Sequence, residues 1–242
     1  MKEKKETSPL YFFLGITLII AYQGILPIIY FKIFKEWATS PNFWLSNLTY
    51  VGYYLLVVLG LILMFHKSLK KEWKNFFKNI KNYSKLSMKT WAKGFGLTIL
   101  ANLIVLMITG GAISGNEAQN REVLKILPLY AGVIMCFIGP FIEELVFRKS
   151  FKKAFKNKYL FAIITSLIFA SLHVINSFDP LTIESFMANW KQIFFLLPYS
   201  TLAFFFALSY YETDNIFVST LAHCFHNTLT LLIIIISGMV GL

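Results

Sequence analysis

Two adjacent carboxylates, Glu143 and Glu144, stand near the end of a long apolar run, and Arg148 follows four residues after the second. Ionisable side chains at membrane depth are costly, so they are rare and usually functional. Of the twelve acidic residues in the chain, only these two fall inside an apolar segment. Glu144 and Arg148 share a helix face and can form an ion pair, which leaves Glu143 free to face another helix. Pro140, one turn earlier, is expected to bend this helix.

Three of the four histidines lie in two later apolar segments. His173 closes one of them, and the other carries His223 and Asn227, which share a helix face because they are four residues apart. His226 is expected to be turned partly away from that face. A bundle that brings Glu143, His173, His223 and Asn227 together would hold a general base, two imidazoles and an amide.

These four groups match the requirements of amide hydrolysis inside a membrane. A carboxylate can take a proton from water, and an imidazole can help to hold that water. A second imidazole and an amide can donate hydrogen bonds to the oxyanion of a tetrahedral intermediate. Taken singly, a histidine, an amide or a glutamate–arginine pair in a membrane helix is more often structural than catalytic. The combination of all of them at these spacings favours catalysis.

A metal site is the alternative for the same residue types. Two histidines and a glutamate can ligate zinc, and a catalytic zinc usually has three protein ligands and one open position. The sequence contains no HExxH motif, and its paired glutamates precede separated histidines. We therefore favour a glutamate mechanism without a cofactor, while a divalent metal such as zinc stays an open alternative.

Composition places the chain in the membrane class. The 242 residues are 57% hydrophobic and 14% charged, against about 45–50% and about 25% in soluble globular proteins. We predict one integral membrane domain over residues 1–242, located in the cell membrane as a multi-pass protein. The net charge of +11 does not indicate nucleic-acid binding, because the lysines lie between apolar runs, where they set topology and contact anionic lipids.

Seven apolar runs are long enough, or nearly so, to cross a bilayer as helices. The sequence predicts an all-α, polytopic transmembrane bundle of seven spans, or eight if a long run such as the first is broken. The runs cover 9–34, 43–65, 94–114, 126–147, 159–176, 192–211 and 216–241.

Residues 66–93 differ from these runs because they carry nine lysines and a single acid, Glu72. Apolar side chains recur there at steps of three and four residues, which predicts one amphipathic helix face. A basic amphipathic helix with aromatic residues opposite its lysines typically lies flat in the membrane interface. We therefore predict an interfacial anchor, with a gate or a substrate-docking element as the alternative.

Orientation follows from the distribution of the lysines. The N-terminus, the segment 66–93 and the loop 148–158 are basic, and two spans separate each from the next. The loops at 115–125 and 177–190 are neutral or acidic. The positive-inside rule therefore predicts a cytoplasmic N-terminus and a C-terminus on the outer side.

Three short motifs resemble those of a known family. EELVFR at 143–148, FASLH at 169–173 and HCFHN at 223–227 resemble the EExxxR, FxxxH and HxxxN motifs of the CAAX protease and bacteriocin-processing (CPBP, or Abi) family of intramembrane endopeptidases. The resemblance covers about residues 124–240. It implies an all-helical membrane bundle with an active site in a cavity within the membrane.

The resemblance also implies a role for each matching residue. Glu143 would be the base that activates water, and His173 would help to position that water. His223 and Asn227 would form the oxyanion site, and the remaining glutamate and arginine of the first motif would support them. The family includes endopeptidases that trim prenylated CAAX proteins, and many bacterial relatives are linked to bacteriocin processing or self-immunity. The peptide or protein substrate therefore stays open.

Two other functions use the same residues. A non-catalytic binding protein, for example in bacteriocin self-immunity, could hold a peptide in the same cavity, and a transporter or channel could use a proton-active glutamate. Only an endopeptidase needs the three catalytic side chains within reach of one water. One spacing argues against their convergence: His173 lies about 20 Å beyond Tyr159, but Glu143 lies only about 7 Å before Arg148. The two depths match only if the fourth helix continues past Arg148 or the fifth begins after Tyr159.

Overall fold

The structure is a computed structural model that describes residues 7–239. That range contains helices and no strand. Seven of its helices are long and apolar enough to cross a membrane. The predicted all-α polytopic bundle is therefore confirmed, with seven spans; the first apolar run is helical from Leu10 to Ile33 and is not broken into two.

We number eight helices, of which all except α4 are the candidate spans; a one-turn helix, Lys35–Ala38, lies between the first two. Their bounds are α1 Leu10–Ile33, α2 Phe43–Lys78, α3 Ile80–Thr109, α4 Gly115–Ile126, α5 Pro128–Ala154, α6 Lys158–Phe178, α7 Ile183–Thr213 and α8 Ile216–Met239.

Helix ends coincide with residues that satisfy free backbone groups. The Asn42 side chain accepts a hydrogen bond from the Leu45 amide at 3.0 Å at the start of α2. Asn157 caps α6 in the same way, as expected of a short polar side chain at this position. Gly110 ends α3 with φ of 74°, a left-handed conformation that glycine adopts without steric cost. The apolar runs are thus delimited by local chemistry as well as by hydropathy.

The segment 66–93 is not one separate helix. Its first half completes α2 and its second half begins α3, and the helical path is interrupted at Asn79, where ψ is 26°. The prediction of a single flat interfacial helix is corrected accordingly. The apolar face is divided: Leu69 and Phe76 are only 6% and 8% exposed, whereas Trp73, Phe77 and Ile80 keep 52%, 49% and 44% exposure. Tertiary packing of these side chains explains the change, and contact of the lysines with anionic lipids stays a prediction.

A cluster of paired charges joins α2, α5 and the turn between α7 and α8 at the basic end of the bundle; three of its members are buried, and the side chain of the fourth, Asp214, is 62% exposed. We call Glu72, Lys149, Lys152 and Asp214 the basic-end cluster. Lys149 pairs with Glu72, and Lys152 pairs with Asp214. The second Glu72 oxygen accepts the amide of Ile216 at 2.8 Å at the start of α8, where a helix favours negative charge. The expectation that the lysines lie in solvated loops is wrong for Lys149 and Lys152, which are 8% and 7% exposed.

Helices α5 and α6 run antiparallel with only three residues between them. Phe155 lies against Phe161 with ring centroids 5.9 Å apart. Eight residues further into the bundle on each helix, Phe147 lies against Phe169 at 5.3 Å. Because α5 continues past Arg148 to Ala154, the first of the two alternatives for matching the depths of the motifs is correct.

Candidate active site

One cavity of about 510 Å³ is lined by all four residues predicted to be catalytic. One turn beyond the Phe147–Phe169 contact, Glu143 on α5 and His173 on α6 reach the same depth, and both line the cavity. His223 and Asn227 enter it from α8. Three separate motifs therefore meet around one space inside the bundle.

The His223 imidazole bridges the two glutamates. Its Nε2 atom lies 3.5 Å from Glu143 Oε2, and its Nδ1 atom lies 3.1 Å from Glu144 Oε1. The ring is stacked on Phe206, with centroids 5.0 Å apart, so its orientation is fixed by packing. Glu144 is fully buried, whereas the Glu143 side chain keeps 16% exposure. Glu144 thus lies behind His223 and supports it, whereas Glu143 is open to the cavity.

Arg148 lies behind this pair and is also fully buried. Its Nε atom lies 3.7 Å from Glu144 Oε2, as the spacing of four residues predicts. Its Nη2 atom donates to the Ala203 carbonyl at 3.5 Å, and its guanidinium lies 4.6 Å from the centre of the Phe169 ring. An opposite charge at this range compensates part of the cost of burying a carboxylate. Arg148 therefore offsets the charge of the glutamate that holds His223.

His173 is held by its own helix. Its Nδ1 atom lies 2.9 Å from the Phe169 carbonyl oxygen, and its ring packs on Phe169 and Tyr199. Because a carbonyl oxygen only accepts hydrogen bonds, the proton is assigned to Nδ1. In the neutral ring the Nε2 lone pair is then the free one, and it can accept a hydrogen bond from a water in the cavity.

Asn227 has a structural partner as well as a place at the cavity. Before Pro140 the helix widens into a π-helical turn, in which the Gly139 amide bonds to the Ile134 carbonyl. The next carbonyl, that of Met135, would pair with residue 140 in the same pattern, but proline has no N–H. The Asn227 Nδ2 atom donates to this carbonyl at 2.8 Å. One amide proton of Asn227 thus ties α8 to α5, and the second is left for the cavity.

Within residues 7–239, no three side chains of histidine, cysteine, aspartate or glutamate are gathered as a group that could hold a metal ion. Glu143, His223 and Glu144 are neighbours, but the imidazole lies between the carboxylates rather than beside them. This arrangement suits hydrogen bonding better than shared coordination of one ion.

The sequence patterns missed part of the cavity wall. His226, expected to be turned partly away, lines the cavity together with Asn227. The polar stripe from His223 through His226 and Asn227 to Thr230, at steps of three and four residues, is the signal that could have placed it on this face. Polar residues of the short helix α4, including Asn116 and Glu117, also line the cavity and could not be assigned from a segment that the sequence presents as a loop.

Aromatic hydroxyls form another wall that no motif indicated. Tyr22, Tyr54 and Tyr130 line the cavity, and the Tyr130 hydroxyl donates to that of Tyr54 at 3.0 Å. Tyrosines are common in membrane proteins, so their types alone carry no signal of a site. Only the packing of α1, α2 and α5 brings them together.

Known proteins similar to this chain come from bacteria. An uncharacterized protein of Mycoplasma capricolum is 27% identical over 147 residues, which cover 56% of this chain and 40% of that protein. The Bacillus subtilis protein named "Putative membrane peptidase YdiL" is 31% identical over 121 residues, covering 47% of this chain and 42% of the relative. The Lactococcus lactis protein named UPF0177 protein YbdI is 31% identical over 105 residues, which cover 40% of this chain and 58% of that protein.

These similarities each span about half the length of the curated relatives. No solved structure shows a significant match to this chain. Residues 125–229 match the family described as type II CAAX prenyl endopeptidase, Rce1-like. This range contains all three motifs and every predicted site residue. The match agrees with the family resemblance of the three motifs, and it covers the part of the chain from α5 to α8 that carries them.

Proposed function

We propose that this protein is an intramembrane endopeptidase that hydrolyses a peptide bond of a membrane-associated protein or peptide. The observation that carries the proposal is the convergence of Glu143, His173, His223 and Asn227 on one cavity. The match to the CAAX endopeptidase family and the similarity to a protein named as a membrane peptidase support it.

In the first step a water molecule attacks the carbonyl carbon of the scissile bond. Glu143, the carboxylate open to the cavity, takes one proton from this water as the C–O bond forms. The free Nε2 lone pair of His173 accepts the other hydrogen of the water and so orients it. The electron pair of the C=O bond moves to the oxygen and produces a tetrahedral oxyanion.

The oxyanion is stabilised from α8. Asn227 has one amide proton that is not used by Met135, and it donates this proton to the oxyanion. His223 contributes a second hydrogen bond when its Nε2 atom carries a proton. Glu144 holds this ring at Nδ1, so the imidazole stays in position while charge develops beside it.

The intermediate then collapses and the C–N bond breaks. Glu143 gives the proton that it took from water to the leaving nitrogen, which departs as an amine, while the other product is a carboxylic acid. Each proton is accounted for without any group outside the cavity. Glu144 and Arg148 do not line the cavity, and we assign them the role of holding His223 in place.

The test of this proposal does not require the substrate to be known in advance. Cells that express the wild-type protein or its Glu143→Gln variant are compared by mass spectrometry of newly formed protein N-termini in the membrane fraction. We expect a set of N-termini that depends on Glu143. The matched control is Glu122→Gln on α4, whose glutamate is exposed and paired only with Lys125 among the described residues. Identical sets of N-termini in the wild type and Glu143→Gln would exclude the proposed reaction.

Metal dependence is decided in the same assay. The purified protein is analysed for bound metal and then treated with a membrane-permeable chelator. In the proposed glutamate mechanism the cleavage rate is unchanged. Loss of cleavage on chelation, together with its recovery on addition of zinc, would instead assign a divalent metal to the residues around Glu143.

The alternative function is a non-catalytic membrane binding or immunity protein that uses the same cavity. The half-open position of Glu143 favours catalysis, since a group needed only for binding would be expected to have a fixed partner. Cells with the Glu143→Gln variant are compared with wild-type cells for immunity to a bacteriocin and for their set of N-termini. If both are unchanged, binding rather than cleavage is the function.

We further propose that the N-terminus lies in the cytoplasm and that the basic end of the bundle contacts anionic lipids. The lysines at both sides of Asn79 and in the loop after α5 support this orientation. A membrane-impermeant maleimide added to intact cells should label Glu122→Cys and not Lys156→Cys. The reverse pattern would invert the topology.

A further inference from the structure

Two polar atoms at the α3–α8 side of the cavity have no hydrogen-bond partner within the described residues. They are Nδ1 of His226 and Oγ1 of Thr98, and both atoms are buried. Both residues line the cavity. A buried polar group without a partner is destabilising by about 1–3 kcal/mol, and such groups in native proteins call for an explanation.

The hydroxyl of Thr98 lacks the backbone hydrogen bond that two other helical threonines make, and unlike Thr220, whose hydroxyl is also without a partner among the described residues, Thr98 lines the cavity. Thr109 donates to the Val105 carbonyl and Thr228 donates to the Cys224 carbonyl, both at 2.8 Å and both four residues earlier. Thr98 makes no such bond in the described part of the chain, although it is also inside a helix. Its hydroxyl is therefore available to a molecule in the cavity.

His226 and Thr98 belong to one patch of the wall. The Phe95 ring, one turn before Thr98 on α3, lies 6.0 Å from the His226 ring across the α3–α8 contact. Phe95 is itself stacked on Trp91 at 4.9 Å. Along α8, His226 lies one turn from His223, a rise of about 4.5 Å. The patch is thus separate from Glu143 and close enough to be reached by the same peptide.

A peptide that is cleaved within a membrane needs hydrogen-bond partners for its main chain close to the scissile bond. A helical substrate must unwind locally before its carbonyl can be attacked, and each N–H and C=O group freed at membrane depth then needs a new partner. An imidazole nitrogen and a hydroxyl can supply such partners. One residue of extended chain spans about 3.3 Å, so the patch lies one to two residues from the scissile bond.

We propose that His226 and Thr98 form a substrate-positioning subsite that hydrogen-bonds the unwound main chain of the substrate peptide beside the scissile bond. This inference rests on the proposed endopeptidase function and identifies how the substrate is held beside the catalytic groups. The subsite reads peptide groups rather than side chains, and the apolar neighbours Phe95 and Leu231 favour apolar residues on the peptide.

A binding measurement tests the subsite independently of cleavage. The probe is an N-acetylated, C-amidated hexapeptide of leucine and valine with a diazirine-bearing leucine analogue at its centre. It is photo-crosslinked to the Glu143→Gln protein in liposomes, and the labelled cavity residues are quantified by mass spectrometry. In this background His226→Leu should lower labelling by about fivefold to tenfold, the loss expected for one or two hydrogen bonds. Thr98→Val should lower it by about threefold.

Matched controls make the same chemical changes elsewhere. His66→Leu and Thr109→Val alter side chains that do not line the cavity and should leave labelling unchanged. His226→Gln, which retains hydrogen-bonding groups, should recover at least part of the labelling. Thermal unfolding midpoints in detergent verify that each variant is folded.

A modified probe identifies the group that is recognised. A hexapeptide N-methylated at its central amides cannot donate those main-chain hydrogen bonds. It should label the parent Glu143→Gln protein as weakly as the ordinary probe labels the His226→Leu variant. The His226→Leu variant should be labelled equally by the methylated and the ordinary probe. Equal labelling of the parent and His226→Leu, or no cavity labelling in the parent, overturns the subsite. If His226→Leu leaves labelling unchanged but Glu143-dependent N-termini are found, the subsite is rejected and the peptidase function stands. If His226→Leu lowers labelling as expected but no such N-termini are found, the peptidase function is rejected and the subsite stands.

Discussion

Two groups of buried charge in this molecule differ in how completely they are paired. In the basic-end cluster, each lysine has a carboxylate partner, and Glu72 also accepts the amide that begins α8. At the cavity, Glu144 is enclosed by His223 and Arg148, but Glu143 lies 3.5 Å from one imidazole nitrogen and keeps contact with the cavity. Glu72, Lys149 and Lys152 lie, like Glu143 and Glu144, on helices that are candidate membrane spans, whereas Asp214 lies in the turn between α7 and α8.

The comparison separates charge used for architecture from charge available for chemistry. A buried carboxylate with every oxygen engaged cannot accept a proton from water without breaking existing bonds. A carboxylate with a partly open side can do so. Sequence context separates Glu72, in a basic segment, from the two glutamates of the apolar segment, but it does not make this distinction between the neighbours Glu143 and Glu144. The number of partners around each carboxylate makes it.

The largest effect is expected from Glu143→Gln. Removal of the proposed general base should lower the cleavage rate by about 10²–10⁴-fold, while the thermal midpoint stays near that of the wild type because the amide has the same shape. The rate is measured on a peptide identified from the Glu143-dependent N-termini. A rate within a factor of three of the wild type would remove Glu143 from the chemistry.

Glu72→Gln should show the reverse pattern. It leaves Lys149 buried without a compensating charge, a change that is typically destabilising by about 3–5 kcal/mol. The free energy of unfolding is measured in detergent, and the rate per folded molecule should be close to that of the wild type. A double replacement, Glu72→Leu with Lys149→Met, should recover much of the stability. Failure of the double variant to exceed Glu72→Gln would mean that the pair does not act as described.

Asn227→Ala should give a smaller loss of stability, and the size of this loss should depend on whether residue 140 on α5 is proline. The change leaves the Met135 carbonyl without a partner, which should be destabilising by about 1–3 kcal/mol. Pro140→Ala supplies the missing N–H, so Asn227→Ala should be less destabilising in that background. Strictly additive effects in this double-mutant cycle would show that Asn227 does not replace the bond that Pro140 lacks.

The smallest effect is expected at an exposed ion pair. Lys158 and Glu212 lie 2.5 Å apart, but their side chains are 38% and 51% exposed. Solvent screens such pairs, so Glu212→Gln should leave the thermal midpoint and the cleavage rate unchanged within error. A clear shift of the midpoint would show that surface charge at this end contributes to the same network as Glu72.

The sequence predicted the helical class and the number of spans, because each depends on patterns within one helix, and its three motifs indicated four of the side chains that line the cavity. Hydropathy indicates a span, and a spacing of four residues indicates a shared face. What it could not predict depends on contacts between distant segments. Lys149 and Lys152 are in a stretch with the composition of a solvated loop, and only their partners on α2 and after α7 explain their burial.

The same reason applies to the segment 66–93 and to His226. The periodicity around Leu69 and Phe76 was compatible with a helix on the membrane surface, and packing against the bundle decided otherwise. His226 is on the edge of the His223–Asn227 face, so a single helix cannot show whether it faces lipid or the cavity. The position of α3 places it at the cavity.

The close antiparallel pairing of α5 and α6 has a consequence for the order in which the protein is made. These two helices are separated by three residues, so Glu143 and His173 come together as soon as this hairpin enters the membrane. His223 and Asn227 are synthesised later, on α8, and chains emerge with their N-terminal parts first. In the proposed mechanism, a half-inserted molecule therefore has the base without the oxyanion groups, and hydrolysis becomes possible only when the final described helix has joined the bundle.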